Sequence, residues 1–274
     1  MRIRAMSLVA ALAAVVGLSY MMLAQSSTPA KAAGGQGKGA TSPKDAAFDP
    51  HDISGYWQFF NNIKGQGIYA TPSKEGPPGF TTWGKQQFDA NKPSYGPRMV
   101  QFDNDPITKC RPTGIPRVEM YPQPFEFVQT QGRVMQFFER EHERRDIWAD
   151  GRDHPKDLEY TWMGHAIGKW DGDTFVVDSV GFNDKTWLDF YGDPRSEKLH
   201  LIERFKRVDA VTLSWQFTVD DPGSYTGLWQ SDTKYFKKLL GDRAFMEELP
   251  CVAEEEQAFT DKVRNPARGE VGGK

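Results

Sequence analysis

Apolar and polar residues alternate with a period of two over much of the chain, which is typical of strands with one buried face. After Leu199, for example, Leu201, Glu203 and Phe205 share one face while Ile202 and Arg204 share the other. Turn residues rich in Gly and Asp separate these runs at short intervals, which indicates hairpins. The predicted strands span residues 53–60, 125–130, 134–141, 145–149, the two halves of 161–182, 199–208, 211–219, 228–236 and 243–249.

This pattern predicts an all-β fold with very little helix. Sequential hairpins form an antiparallel meander, and a large meander hides its edges best by closing on itself. We therefore expect a single antiparallel meander closed into a barrel, with a two-sheet β-sandwich as the alternative. Thr82 is expected to begin one short helix that ends near Asn91. The proline-rich segment 92–124 is expected to wrap the sheet as an extended N-terminal arm.

The N-terminus has the order of an export signal: Arg2 and Arg4, an apolar run over residues 5–24, and then small residues that end at Ala32. We expect a signal peptide over residues 1–32. The alternative is an uncleaved anchor, because the run approaches the ~20 residues that span a bilayer. Either form places the folded part in the periplasm or outside the cell. Residues 33–52 then form a flexible linker, 53–251 the β domain, and 252–274 a solvated tail.

Net charge limits the choice of partners. The chain carries a formal charge of −3, and loss of residues 1–32 removes Arg2, Arg4 and Lys31 but no acid, which gives −6. Nucleic acid is therefore not an expected partner. We expect a membrane to be a partner only through an uncleaved N-terminal anchor.

The chain has two cysteines, Cys110 and Cys251. In an oxidising compartment the simplest interpretation is one disulfide that encloses most of the β domain. Two separate buried thiols are the alternative.

The stretch 161–184 carries the sharpest chemical prediction. Asp171-Gly172 lies between two β-prone runs, and such a dipeptide favours a two-residue hairpin loop. Counting outward from that loop places His165 opposite Asp178, with their Cβ atoms roughly 4.5–5.5 Å apart. A three-residue loop through Asp173 would place Ser179 there instead. The pair is either a catalytic base with its orienting acid or a structural cross-strand hydrogen bond.

Other polar and aromatic residues are candidates for the same site. An inward Glu203 would provide a further acid, since a charge between apolar neighbours needs a partner. The charged corner 139–146 is either a solvated rim or a buried network. Asn183 and Asp184, which follow the hairpin, either hold a ligand or form a turn. The loop after them carries Trp187 and Tyr191 and is expected to fold over as a flap. The predicted ligand-binding residues are His142, Arg144, Asn183, Asp184, Trp187 and Tyr191.

Several kinds of chemistry lack their sequence signatures. The five histidines are scattered, with no His-x-His and no His-Glu-x-x-His, so we predict no metal site. Nucleophile-elbow, Walker and dinucleotide motifs are absent from the sequence, and we predict no cofactor.

The segment from Trp162-Met-Gly-His165 through Gly172-Asp-Thr174 and Val176-Val-Asp178 to Gly181-Phe-Asn-Asp184 resembles the signature of a large, poorly characterised family of exported bacterial proteins. The resemblance extends to blocks 105–110, 138–155 and 200–209 and covers roughly residues 53–252. It implies export and no particular reaction. The meander is also similar in outline to calycin-type barrels, and this resemblance implies an apolar ligand.

Three functions compete at this point. The preferred one is an exported barrel that binds a small, largely apolar or aromatic molecule in its interior. The second is a cofactor-free acid/base enzyme (isomerase, dehydratase or hydrolase) in which His165 and Asp178 act with Glu203. The third is a glycan-binding β-sandwich that uses surface aromatic residues.

Overall fold

Ten strands make up the body of the protein within the residues that the computed structural model describes, which are 42–60, 67, 69–267 and 269. Two helices, α1 (Thr82–Ala90) and α2 (Ala253–Phe259), lie outside the strands, and α2 continues through a π-helical turn at Thr260–Arg264 and a helical turn at Asn265–Ala267. 3₁₀ turns occupy Pro43–Asp45, Pro106–Lys109, Arg117–Met120 and Gly241–Arg243. The strands are β1 (Gly55–Phe59), β2 (Phe125–Thr130), β3 (Arg133–Phe138), β4 (Arg144–Trp148), β5 (His165–Asp171), β6 (Thr174–Val180), β7 (His200–Asp209), β8 (Thr212–Asp220), β9 (Trp229–Gln230) and β10 (Lys234–Lys238).

The sheet closes into a barrel because β10 pairs with both β1 and β8. Nine strands form the closed wall, and β9 is an extra strand on β8. The predicted barrel is therefore confirmed, and the two-sheet sandwich is wrong. Closure also leaves the wall without free edges, which removes the main aggregation risk of a large sheet.

Two details differ from a simple antiparallel meander. Strands β4 and β5 pair in parallel, because the chain crosses between them through residues 149–164 without a regular strand. The predicted strand over residues 243–249 is also wrong. The chain turns at Gly241–Arg243, Phe245 and Leu249 stay largely exposed, and β10 pairs with β1 instead.

Aromatic rings fill the barrel interior. Phe127 lies 5.2 Å from Phe205, and Phe125 lies 4.9 Å from Phe236, between ring centroids. The arm contributes to the same core, since the apolar side chains at its 3₁₀ turn are buried: Ile115, Val118 and Met120. Burial of these large side chains provides much of the driving force for folding.

A disulfide joins Cys110 to Cys251, as predicted, with 5.4 Å between their Cα atoms. It ties the proline-rich arm to the start of the C-terminal tail. In that tail α2 has no buried residue.

The predicted signal peptide, 1–32, and most of the predicted linker lie outside the described residues. Over the ranges that the structure does describe, no helix is long and apolar enough to cross a membrane.

Candidate functional site

The central hairpin has a different register from the predicted one. Asp171 pairs with Thr174, so the two loop residues are Gly172 and Asp173, and Gly172 has a φ of +55°. His165 consequently faces Val180, and Asp178 faces Ile167. The predicted direct pairing of His165 with Asp178 is wrong. Because the register moves by two positions, the two side chains keep the same face of the sheet and become diagonal neighbours.

That face is the outside of the barrel. In β6 the inward positions are Phe175, Val177 and Ser179, which are buried, whereas Asp178 is only half-buried. Adjacent residues of a strand point to opposite faces. Glu203 pairs with Val177 and is fully buried, so it lies inside the barrel and on the other side of the wall from Asp178. The three predicted catalytic residues therefore do not form one site.

Two histidines that the sequence did not connect complete a cluster around Asp178. Its Oδ1 accepts a hydrogen bond from Nε2 of His200 at 2.8 Å and lies 3.3 Å from Nε2 of His154. Nδ1 of His154 lies 2.8 Å from Nδ1 of His165. We call these four residues, His154, His165, Asp178 and His200, the histidine cluster. They form one continuous hydrogen-bonded chain.

Local features of the chain bring the histidine cluster together. A Cβ added to Gly164 would lie 2.7 Å from the carbonyl oxygen of Val180, so only glycine allows β5 to begin so close to β6. Ser196 precedes His200, and its backbone N–H donates to Asp221 at 2.7 Å. This contact fixes the loop that leads into β7. His154 reaches the cluster from the irregular crossover between β4 and β5.

The hydrogen bonds assign the tautomers. The Asp178 carboxylate accepts the Nε2–H of His154, which leaves Nδ1 of neutral His154 as an acceptor. His165 then donates its Nδ1–H to that nitrogen, and its Nε2 keeps a free lone pair. In His200 the Nε2–H is bound to Asp178, so Nδ1 is the nitrogen available to a substrate.

The surroundings move the pKa values of two of the histidines in opposite directions. Burial, with smaller contributions from His154 and Arg152, lowers the pKa of His165. The hydrogen bond to Asp178 raises the pKa of His200. Burial raises the pKa of Asp178, but hydrogen bonds from His200 and His154 outweigh that effect and hold it below its ordinary value. Near neutral pH His165 is therefore more often unprotonated and ready to accept a proton, whereas His200 is more often protonated and ready to donate one.

A polar groove of about 740 Å³ lies beside the histidine cluster. His200 and Val180 line it, together with residues 156–160 and 197–199. Ser179 pairs with Leu201, so the same antiparallel register sets Val180 beside His200, while His165 faces Val180 from β5. His165 and His200 thus flank Val180 in one row, on backbones roughly 9.5 Å apart.

Glu203 belongs to a separate charged network inside the barrel. Its carboxylate accepts two hydrogen bonds from Arg145, at 2.6 and 3.0 Å, and one from the indole of Trp215 at 3.2 Å. Arg145 also donates to Glu119 at 3.0 Å, and Gln136 bridges these two residues. Burial and the nearby Glu203 raise the pKa of Glu119 well above its ordinary value.

The predicted ligand-binding residues are spread over several places. His142 lines an open cavity with Glu139 and Met246, while Arg144 begins β4 and is exposed. Asn183 is buried and accepts hydrogen bonds from Lys185 and Arg195, so it shapes the turn that follows β6. The three remaining residues lie on the next loop, where Trp187 is buried, Asp184 is exposed and Tyr191 stacks on Tyr95. The structure does not bring these six residues to the histidine cluster.

His154 and His200 are the site residues that sequence reasoning missed. The alternation in β7 does place His200 on the outward face with Ile202 and Arg204. The register of β7 against β6 could not be predicted, because a long loop precedes β7. The position of His154 could not be predicted either, because this residue lies in the irregular crossover.

No group of three or more His, Cys, Asp and Glu side chains in the described ranges is arranged to hold a metal ion. Comparisons with protein-family models, curated proteins and solved structures found no match to the chain. The family membership that the signature suggested stays a prediction.

Proposed function

We propose that the protein is an acid/base enzyme whose active site is the histidine cluster and the groove beside it, on the outside of the barrel. The observation that carries this proposal is the hydrogen-bonded chain from His200 through Asp178 and His154 to His165. A structural role needs only satisfied hydrogen bonds. It does not require the pKa values of two histidines on one face to move apart.

The chemistry divides between the two ends of the chain. His165 removes a proton through Nε2, and the positive charge that develops is spread through His154 toward Asp178. His200 delivers a proton from Nδ1 and remains bound to Asp178 through Nε2. A substrate lying over Val180 would meet both groups, which suits hydrolysis by an activated water or a proton shift between separated atoms.

The groove suggests a polar substrate. Lys156, Asp157, Glu159, Glu197 and Lys198 bring charges of both signs to its walls. Binding of an apolar molecule inside the barrel is the competing proposal. It is less well supported, because buried aromatic rings and the Glu203 network occupy that space.

Export to an oxidising compartment is part of the proposal. The Cys110–Cys251 disulfide is compatible with a periplasmic or extracellular location. The arginine-flanked apolar run at the N-terminus supports the same location.

Hydrolysis of phenyl acetate, whose phenolate leaving group benefits from a donated proton, tests the proposed function between pH 5 and 9. The rate should rise through the pKa of His165, below the ordinary histidine value of about 6.5, and fall through that of His200, above it. His165→Gln and His200→Gln should each lower the rate by roughly 10²- to 10⁴-fold, because general acid and base groups contribute about that much.

The matched control is His51→Gln, which removes an exposed histidine outside the cluster and should leave the rate unchanged. Thermal unfolding of each variant checks that the fold persists. Wild-type turnover no higher than that of His165→Gln would contradict the proposal, and so would complete loss of wild-type turnover in EDTA.

A further inference from the structure

A second cavity, of about 430 Å³, lies between the arm and the loop that follows β6. Its aromatic walls include Tyr69, Tyr95, Tyr121 and Phe190. Phe190 lies 4.6 Å from Tyr121 and 6.2 Å from Tyr69, between ring centroids. We call this cavity the aromatic cleft. Its volume is within the range of small-molecule sites, and its aromatic walls suit a flat ring.

Two arginines line the aromatic cleft, and each has an acid beside it, but only Arg140 lies over an aromatic ring of the cleft wall at close range. Arg117 is fully buried, and both of its Nη atoms donate to the Asp105 carboxylate, so its charge is neutralised. The guanidinium of Arg140 lies 4.1 Å from the centre of the Tyr121 ring, while its Nε donates to Thr113 and its Nη2 lies 3.1 Å from Glu141. Stacking on Tyr121 and the bond to Thr113 hold this guanidinium in place.

Several polar atoms that line the aromatic cleft have spare hydrogen-bonding capacity. The hydroxyl of Tyr121 has no partner among the described residues, although its side chain is more than nine-tenths buried. Tyr69 donates to the hydroxyl of Tyr95, which leaves the Tyr95 proton for another acceptor. Burial of the Tyr121 hydroxyl without a partner is costly, and a ligand that accepts its hydrogen bond removes that cost.

Among the groups with spare capacity, those that can donate outnumber those that can only accept, because the Asp105 carboxylate in the same cleft is already bound by Arg117. Arg140 Nη1, the Tyr121 hydroxyl and the Tyr95 hydroxyl are donors, whereas the unpaired Oε1 of Gln123 is an acceptor. One donor carries a positive charge. A carboxylate group on a flat ring matches such a set, because an arginine binds a carboxylate through charge-assisted hydrogen bonds.

We propose that the aromatic cleft is a binding site for an aromatic carboxylate, separate from the histidine cluster. The ring lies among Tyr69, Tyr95 and Phe190, and the carboxylate accepts hydrogen bonds from Arg140 and Tyr121. This site does not depend on the proposed catalytic function.

Calorimetric titration of the full-length protein with 2-naphthoate tests the proposal. Saturable binding with one molecule per chain is expected. The Arg140→Gln variant should weaken binding by roughly 10- to 100-fold, which corresponds to loss of a charge-assisted hydrogen bond. Tyr121→Phe should also weaken binding, because it removes the hydroxyl that donates to the carboxylate and keeps the ring. Arg144→Gln is the matched control, since it removes an exposed arginine from the nearby start of β4.

Three outcomes would overturn the inference: no saturable binding, equal binding by wild type and Arg140→Gln, or equal binding of 2-naphthoate and the uncharged 2-naphthalenemethanol. Thermal unfolding of Arg140→Gln is the control for stability. If this variant unfolds at the wild-type temperature, its loss of binding reflects the site and not the fold. His165→Gln should bind 2-naphthoate as wild type does, so a failure of either proposal can be told from a failure of the other.

Discussion

At the scale of single residues, the most unusual feature is the pair of buried carboxyl groups that share one arginine inside the barrel. Glu119 and Glu203 are both within 3.0 Å of Arg145. Two adjacent carboxylates with one guanidinium are electrically balanced when a single proton is kept. Glu119 is the better place for that proton, because Glu203 accepts three hydrogen bonds and burial raises the pKa of Glu119. This balance explains how the apolar core tolerates three ionisable side chains.

Two substitutions separate the members of this network. Arg145→Met should destabilise the protein by about 3–5 kcal/mol, because it leaves the buried acids without a counter-charge. Glu119→Gln keeps the neutral state and avoids the proton uptake that folding of the wild type requires at pH 7, so it should be at least as stable as the wild type. Urea unfolding at pH 7 measures both. Equal losses in the two variants would contradict the assigned proton.

The pH dependence of stability follows from the same assignment. Glu119 has a raised pKa in the folded state, so its contribution to stability is present at acid pH and is lost as the pH rises through that folded pKa. Glu119→Gln cannot lose a proton. Its stability should therefore decline less toward alkaline pH than that of the wild type.

At the scale of elements, the β5–β6 hairpin shows how far sequence reasoning reaches. The Gly172 turn, the two strands and their shared face follow from composition and alternation. The register does not, because Asp-Gly and Gly-Asp both satisfy a two-residue loop with positive φ. The choice between them moves His165 by two positions along β6. Contacts from a distant crossover and from β7 then decide which side chains Asp178 meets.

A substitution at Gly168 can test how this hairpin packs within the barrel wall. A Cβ added there would lie 2.4 Å from Phe175 and 2.9 Å from Ile147. We expect Gly168→Ala to destabilise the protein by about 1–3 kcal/mol through overpacking. Lys169→Ala, at the exposed neighbouring position of β5, should stay within ~0.5 kcal/mol of the wild type. Chemical unfolding that finds the two variants equally stable would show that this packing is wrong.

At the scale of the whole molecule, the all-β class, the closed barrel and the disulfide could be predicted, because alternation, turn residues and cysteine count are local signals. The inside and outside of the barrel could not be assigned for the hairpin. Asp178 lies between Val177 and Ser179, and a half-polar strand gives no clear inward face. The histidine cluster could not be predicted for a related reason, since it joins an irregular crossover to positions on three neighbouring strands whose registers the sequence does not determine.

The central claim is that His165 and His200 form a base and an acid linked through Asp178. Long-range ¹H–¹⁵N NMR of the imidazole nitrogens, followed over pH 5–9, tests it most directly. We predict the Nδ1–H tautomer for neutral His165 and a pKa for His165 below that of His200, with the pKa of His200 returning toward its ordinary value in Asp178→Asn. A common pKa for both residues near 6.5, or an Nε2–H tautomer for His165, would contradict the account.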